Sequence, residues 1–249
     1  MAFSPRALSK SHPHPLKVLI PLFPSFNTFD ANGPIEVLSQ ANRNNPDPSN
    51  PSNTSPIFTL TLAADRPLTR SIEGVSIERD ISLIDALARV EEWDIVLLPG
   101  GVRDVILGVI EGHEKGKERS VLMELLEGYK AVRDGLMLTV CTGSLFLAAV
   151  GGLDGRTVTS HWAALGTVKN LCERNGSKTK VVRARWVDSK EERLPRLISA
   201  GGVACGIDAT FYLVELIAGA ELAEKAATVM DYQRRGEELQ EDYVIPEGK

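Results

Sequence analysis

An α/β fold with a mainly parallel sheet is predicted by three features of the sequence. Short apolar runs of strand length recur at Leu16 to Phe23, Asp94 to Leu98 and Leu136 to Val140. Segments with helical patterning separate them. Residues able to do chemistry, and glycine pairs, gather just after the runs rather than inside them. Strands apolar at successive positions belong to sheets covered on both faces, which are the parallel ones. In such sheets ligands bind beyond the carboxyl ends of the strands. Four groups fall there: Asp30 after the first strand, Gly100-Gly101 after a middle one, Cys141, and Gly201-Gly202.

Leu16 to Phe23 reads as the first buried strand. After a loop over Pro24 to Phe29, Asp30-Ala31-Asn32-Gly33-Pro34 opens a helix toward Ala41. Pro34 is expected in its first turn, where a missing N–H costs nothing. Asn42 to Pro56, rich in Asn, Pro and Ser, reads as a disordered surface insertion. Ile57 to Ala63 alternates threonine with apolar residues and is strand-like. Thr69 to Arg79 suggests a hairpin around Gly74, and Ser82 to Val90 a short helix. Asp94 to Leu98 is a strand ending at Pro99-Gly100-Gly101. Glu111 to Ser120 is charged and reads as a second, solvated insertion before the helix Val121 to Asp134.

The strand Leu136 to Val140 runs straight into Cys141. Thr142-Gly143-Ser144 and a helix over Leu145 to Val150 follow without a gap. Arg156 to Thr159 is a short strand, and His161-Trp162 opens a helix over Ala163 to Arg174. Lys180 to Val187 and Arg196 to Ser199 read as strands. The basic stretch Arg183 to Arg196, interrupted by Asp188, Glu191 and Glu192, reads as a solvated edge. Gly201 to Gly206 is a turn, with Asp208 as N-cap of a helix over Ala209 to Ala218. A last helix covers Glu221 to Tyr232. A flexible tail (1–15), one domain (16–234) and a C-terminal tail (235–249) complete the expected organisation.

With 249 residues and 43% hydrophobic composition, the chain can bury a full core as one domain. A net charge of -5 lacks the basic patch of a nucleic-acid binder. No apolar run approaches bilayer-spanning length, and the first residues lack an apolar signal core. Cys141, Cys172 and Cys205 lie far apart, which suggests neither a disulfide framework nor a metal site and fits a reducing, cytoplasmic setting. The expected partner is a small-molecule substrate, with no nucleic acid or membrane involved.

Cys141 occupies a sharp turn between a buried strand and a helix start. Nearby helix N–H groups would favour its thiolate, although a free cysteine is more often an inert buried hydrophobe. Asp30 either caps a helix or exchanges a proton with the sulfur. Gly100 and Gly101 either make a turn or present N–H groups to a developing negative charge. Thr142 is a plausible cap whose N–H and hydroxyl point toward anything bound at the sulfur. His161 is either structural or a base for Cys141. Cys172 reads as packing and Cys205 as an inert turn residue. His12 and His14 fall in the tail, and His113 in a charged loop.

Four stretches resemble the DJ-1/PfpI superfamily and, within it, the isocyanide hydratase-like branch. They are Phe29-Asp30-Ala31-Asn32-Gly33-Pro34-Ile35-Glu36-Val37-Leu38, Leu97-Leu98-Pro99-Gly100-Gly101, Val140 to Ser144 with Gly151 to Arg156 and Thr159-Ser160-His161-Trp162, and Ser199 to Asp208. The resemblance implies a flavodoxin-like three-layer α/β/α sandwich, akin to the class I glutamine amidotransferases. It also implies a homodimer and no cofactor. It makes Cys141 the nucleophile, Asp30 the general acid/base, and Thr142 and Gly101 shapers of the site. Gly100, His161 and Gly202 complete the expected pocket. The glyoxalase-like and DJ-1-like branches carry a glutamate at the Asp30 position and use a histidine placed like His161, so α-oxoaldehyde chemistry and cysteine oxidation sensing are the alternatives. The same domain forms the sensory half of AraC-type regulators. The chain ends at Lys249 with no room for a helix-turn-helix, which argues against that role.

Overall fold

Two-sided burial decides the centre of the molecule. Ile95–Leu98 and Leu136–Val140 are buried at every position, as expected for strands sandwiched between helical layers. The structure, a computed structural model, describes residues 15–245 apart from Pro48, Glu118, Arg133, residues 191–194 and Glu241. The N-terminal tail up to His14 and the last four residues lie outside the described part.

The chain begins with β1 (Leu16–Pro21), α1 (Thr28–Asn44) and a small hairpin, β2 (Pro46–Asp47) and β3 (Asn50–Thr54). Next come β4 (Phe58–Ala64), a second hairpin of β5 (Leu68–Arg70) and β6 (Ser76–Glu78), β7 (Ile81–Ser82) and α2 (Leu83–Ala88). β8 (Ile95–Leu98) leads to α3 (Arg103–Glu114) and α4 (Val121–Tyr129). β9 (Leu136–Val140) is followed by α5 (Ser144–Ala149), β10 (Thr157–Val158), α6 (Leu165–Arg174) and β11 (Lys180–Val181). The last elements are β12 (Trp186–Asp188), β13 (Arg196–Ala200), α7 (Cys205–Ala218) and α8 (Ala220–Val229).

The main sheet has the order β12-β13-β9-β8-β1-β4-β7. Only β12 runs antiparallel, at one edge. Helices α1, α7 and α8 pack together on one face, and α2 to α6 on the other. This is the flavodoxin-like three-layer sandwich that the resemblance implied. Pairing of Ala200 with Val140 and of Leu98 with Thr139 brings the ends of β13, β9 and β8 level. Asp30, Gly100, Cys141 and Gly201 therefore emerge at one carboxyl edge. Among the described residues no helix is long and apolar enough to cross a membrane.

Several local expectations are corrected. Asn27 caps α1, its side chain accepting from the N–H groups of Phe29 and Asp30 at 3.0 and 3.1 Å, so Asp30 is not the cap. Pro34 sits inside the helix, beyond the first turn. The segment 42–56 is not an unstructured insertion. α1 runs to Asn44, and the β2–β3 hairpin follows. The Asn42 side chain accepts from the N–H groups of Ile57 and Phe58 and donates to the Phe58 carbonyl, converting apparent turn composition into an anchor for β4. Residues 111–114 of the second expected insertion belong to α3.

Within the basic stretch Arg183 to Arg196, Arg185 and Arg196 are not part of a solvated edge. Arg185 Nε meets Asp208 Oδ2 at 2.5 Å, and Asp208 is 2% exposed. Arg196 pairs with the buried Asp188. Asp208 therefore lies in the first turn of α7 as half of an ion pair rather than as its N-cap. The C-terminal tail also joins this structure. Arg235 N–H donates to Asp208 Oδ1 at 2.8 Å, and Gln240 bridges to Arg183. The Arg185 carbonyl accepts from Gly201 N–H, so the pair secures the turn that passes Cys141. Removing one partner of a buried pair strands the other charge away from water. Arg185→Met is expected to destabilise the fold by about 3 kcal/mol, measured by chemical denaturation, whereas Arg235→Ala, which keeps the backbone donor, should cost far less.

Candidate active site

The site is built where β9 ends. Cys141 has φ 58°, a left-handed conformation that an L-residue with a Cβ adopts only under constraint. Its N–H donates to the Gly201 carbonyl at 2.9 Å. The Ser160 hydroxyl donates to its carbonyl at 2.9 Å, and the Ser144 hydroxyl donates in turn to Ser160 Oγ at 2.8 Å. A single 3-10 turn over Cys141–Gly143 then leads into α5. Gly143 permits this turn, because a Cβ there would lie 2.6 Å from the Leu98 carbonyl oxygen.

Four groups surround the sulfur: the N–H groups of Thr142 and Val203, the Thr142 hydroxyl and the Asp30 carboxyl. The Thr142 hydroxyl is held by Gly101, accepting from its N–H and donating to its carbonyl, both at 2.8 Å. Gly100 N–H donates to Asp30 Oδ2 at 3.1 Å. Both glycine N–H groups are thus committed to the protein. They position the thiol's neighbours and do not form the free donor pocket the sequence suggested. Gly100 is also required sterically, since a Cβ would fall 2.6 Å from Thr142 N and 2.8 Å from Cys141 Cβ.

Asp30 is fully buried, and its Oδ1 meets no nitrogen or oxygen donor among the described residues. Burial pushes its carboxyl up to about 7, against the lowering effect of Gly100 N–H and the Cys141 thiol, while Glu73 adds a smaller upward push. Burial, and then the neighbouring Asp30 charge, push the Cys141 thiol up to about 12. The expected preformed thiolate is therefore corrected. Two N–H groups, of Thr142 in the 3-10 turn and of Val203 in the turn before α7, do not compensate for lost water and an adjacent carboxyl. The two groups share one proton equilibrium, in which the carboxyl ionises first and the thiol retains its hydrogen.

Asp30 is located by more than its helix. Asn27 N–H donates to the Gly100 carbonyl at 2.8 Å, Val102 N–H to the Ser25 carbonyl at 3.1 Å, and Phe26 bridges to Gly101. Glu73, from the β5–β6 hairpin, accepts from the Thr28 N–H and hydroxyl at 3.0 and 2.5 Å. The loops after β1 and β8 are thereby fastened together under the carboxyl.

His161 is placed differently from a base. Its Nδ1 accepts from Ala163 N–H at 3.3 Å, and its ring packs where a Gly202 Cβ would stand, 2.6 Å from Cδ2. Burial lowers its pKa, which favours the neutral ring. Among the described residues it has no hydrogen bond to Cys141 or Asp30. Sequence reasoning missed Val203, which holds φ 39° and directs its N–H at the sulfur. It also missed the two serines behind the Cys141 carbonyl. The Gly201-Gly202 turn marked the neighbourhood, but a β-branched residue carries no signal for a left-handed backbone.

The DJ-1/PfpI family profile matches residues 16–215. The chain belongs to the DJ-1/PfpI family. A family member from Pseudomonas putida, an isonitrile hydratase, is 24% identical over 211 residues, covering 85% of this chain and 76% of its own. The Parkinson disease protein 7 homolog of Danio rerio is 30% identical over 165 residues, covering 65% of this chain and 75% of its own. A crystal structure of a ThiJ/PfpI family protein from Pseudomonas syringae superposes with a TM-score of 0.68 at 19% identity, over 89% of this chain and 77% of that one.

The buried carboxyl links this DJ-1/PfpI site to stability. Asp30 has a raised pKa in the fold and an ordinary one, near 3.8, when unfolded. Between those values the native state binds the extra proton, so stability falls as pH rises, and the penalty is complete above about 7. Asp30→Asn is therefore expected to stabilise the protein by roughly 2–4 kcal/mol at about pH 8 and by almost nothing near pH 4. Paired denaturation curves at the two pH values measure this.

Proposed function

We propose that the chain is a cofactor-independent isocyanide hydratase. The observation carrying this reading is the buried thiol–carboxyl pair, in which an aspartate rather than a histidine faces the sulfur. In its charged form Asp30 accepts the thiol proton as Sγ attacks the terminal carbon of R–N≡C. It returns that proton to the same carbon, leaving the thioimidate R–N=CH–S–Cys141. Water then adds to the thioimidate carbon, with Asp30 receiving one of its protons. The C–S bond breaks, the sulfur and nitrogen are reprotonated, and R–NH–CHO departs. The sum is one isocyanide and one water to one formamide.

The thiol need not be ionised beforehand, because base and nucleophile already face each other. N–H groups of Thr142 and Val203 stabilise sulfur as it gains and loses charge. Exposed apolar side chains adjoin the site residues in sequence, Phe29 beside Asp30 and Trp162 beside His161. They suit an apolar isocyanide. Further exposed side chains, Ile72 and Val75, lie on the hairpin joined to α1 through Glu73 and Thr28, and support a homodimer. Three unpaired cysteines support a cytoplasmic setting.

Formamide release from an aryl isocyanide is the test. Wild-type turnover is expected, with none from Cys141→Ala and a loss of at least roughly 100-fold from Asp30→Asn. His161→Ala should keep most activity. Because the base form of Asp30 is required, kcat/KM should rise with pH through about 7 and then level off. A silent wild type, or a histidine variant as inactive as the cysteine one, would contradict the hydratase reading. Oxidation of Cys141 by mild peroxide with no substrate consumed would favour a cysteine sensor.

A further inference from the structure

At the carboxyl ends of β1 and β4, separate from Cys141, the fold leaves an open cavity of about 530 Å³. Its lining is largely apolar: Leu22, Phe23, Leu83 and Leu122 are buried, and Leu68 is 60% exposed. Buried hydrocarbon facing empty space lacks dispersion contacts that an occupant would supply. Both its size and its place at the carboxyl edge of a parallel sheet are those of small-molecule sites. The segment Phe23 to Phe26 walls it off from the thiol. Phe23 packs edge-on against Phe146, and Ser25 holds the Arg70 carbonyl through its N–H while its own carbonyl accepts from Val102 N–H.

The charges around the cavity are unequal. Arg66, Arg70 and Arg119 line it with a single carboxylate, Asp65. Arg119 is committed to Glu124 through two bonds of 2.5 and 2.7 Å. Asp65 is countered first by Arg79 and then by Arg66, and Arg66 makes no ion pair or side-chain hydrogen bond among the described residues. Arg70 has no ion pair or side-chain hydrogen bond among the described residues, although its guanidinium packs near Gly74. Positive charge is therefore in excess beside an apolar hollow.

We propose that this cavity is a second small-molecule site, which takes a monocarboxylate with a compact apolar body, its head on Arg70 and its body against Leu22, Leu83 and Leu122. The chemistry is complementary at both ends. A carboxylate offsets that excess through a charge-assisted bond to the unpaired Arg70 guanidinium, and the apolar body covers the leucines. Occupancy does not involve the thiol, so the proposal stands or falls independently of the hydratase reading.

Calorimetric titration of the full chain with 4-phenylbutyrate, and with 4-phenylbutanol as its uncharged counterpart, tests it. Wild type and Cys141→Ala are expected to bind the acid equally. The alcohol should bind at least roughly tenfold more weakly. Arg70→Met should abolish the preference for the acid. Val109→Phe, which fills the hollow from α3, should remove binding while leaving the melting transition in place. No binding of the acid, equal binding of acid and alcohol, an acid preference that survives Arg70→Met, or binding lost in Cys141→Ala would each overturn the proposal.

Discussion

A carboxyl and a thiol held together away from water cannot both be charged, and the surrounding fold is arranged around that restriction. Asp30 has no exposure and one oxygen without a conventional donor, so its proton is retained to about neutrality. Cys141 is pinned in a left-handed conformation, and its backbone N–H and carbonyl are both bonded. The arrangement is unfavourable for stability and useful for chemistry. In the proposed reaction, a base whose pKa lies near neutral is ionised when the sulfur attacks, so that it can take the thiol proton in that step and return it afterwards.

The unfavourable pair persists because packing elsewhere leaves it no room to relax. Beneath Asp30, the loops after β1 and β8 are fastened by Asn27, Phe26 and Val102, and Gly100 and Gly101 spend their N–H groups on Asp30 and Thr142. Across the sulfur, the Gly201–Ala204 turn is held from behind by Arg185, whose buried partner Asp208 also draws in Tyr232 and the Arg235 backbone. Residues distant in sequence thus set the position of the Val203 N–H. A change at Arg185 would reach the thiol through this turn without touching it.

The sandwich and the location of the site were legible because both are written in local composition. Leu136 to Val140 is apolar throughout since both of its faces are covered, and Cys141 follows it directly. Asp30, Gly100 and Gly201 stood out by the same strand-end logic. Other features were not local. The start of α1 was misplaced because Asp30 and Pro34 imitate a helix opening, whereas the true cap, Asn27, lies in an unremarkable loop. The Arg185–Asp208 pair joins residues from β12's approach and α7, so a basic stretch looked solvated. The direction of the Cys141 shift was reversed because desolvation depends on the whole surrounding fold, while the sequence displays only the adjacent helix start. The hairpin after α1 shows the same limit: Asn-rich composition reads as disorder until the bonds made by Asn42 are seen.

The measurement that bears most directly on this account is the ultraviolet thiolate absorbance of Cys141, taken as the difference between wild type and Cys141→Ser across a pH titration. The shared-proton pair predicts no Cys141 thiolate at neutral pH, with the signal emerging only well into the alkaline range as the thiol approaches about 12. A Cys141 thiolate already present below neutral pH would contradict it, and would return the site to an ionised sulfur beside a protonated Asp30.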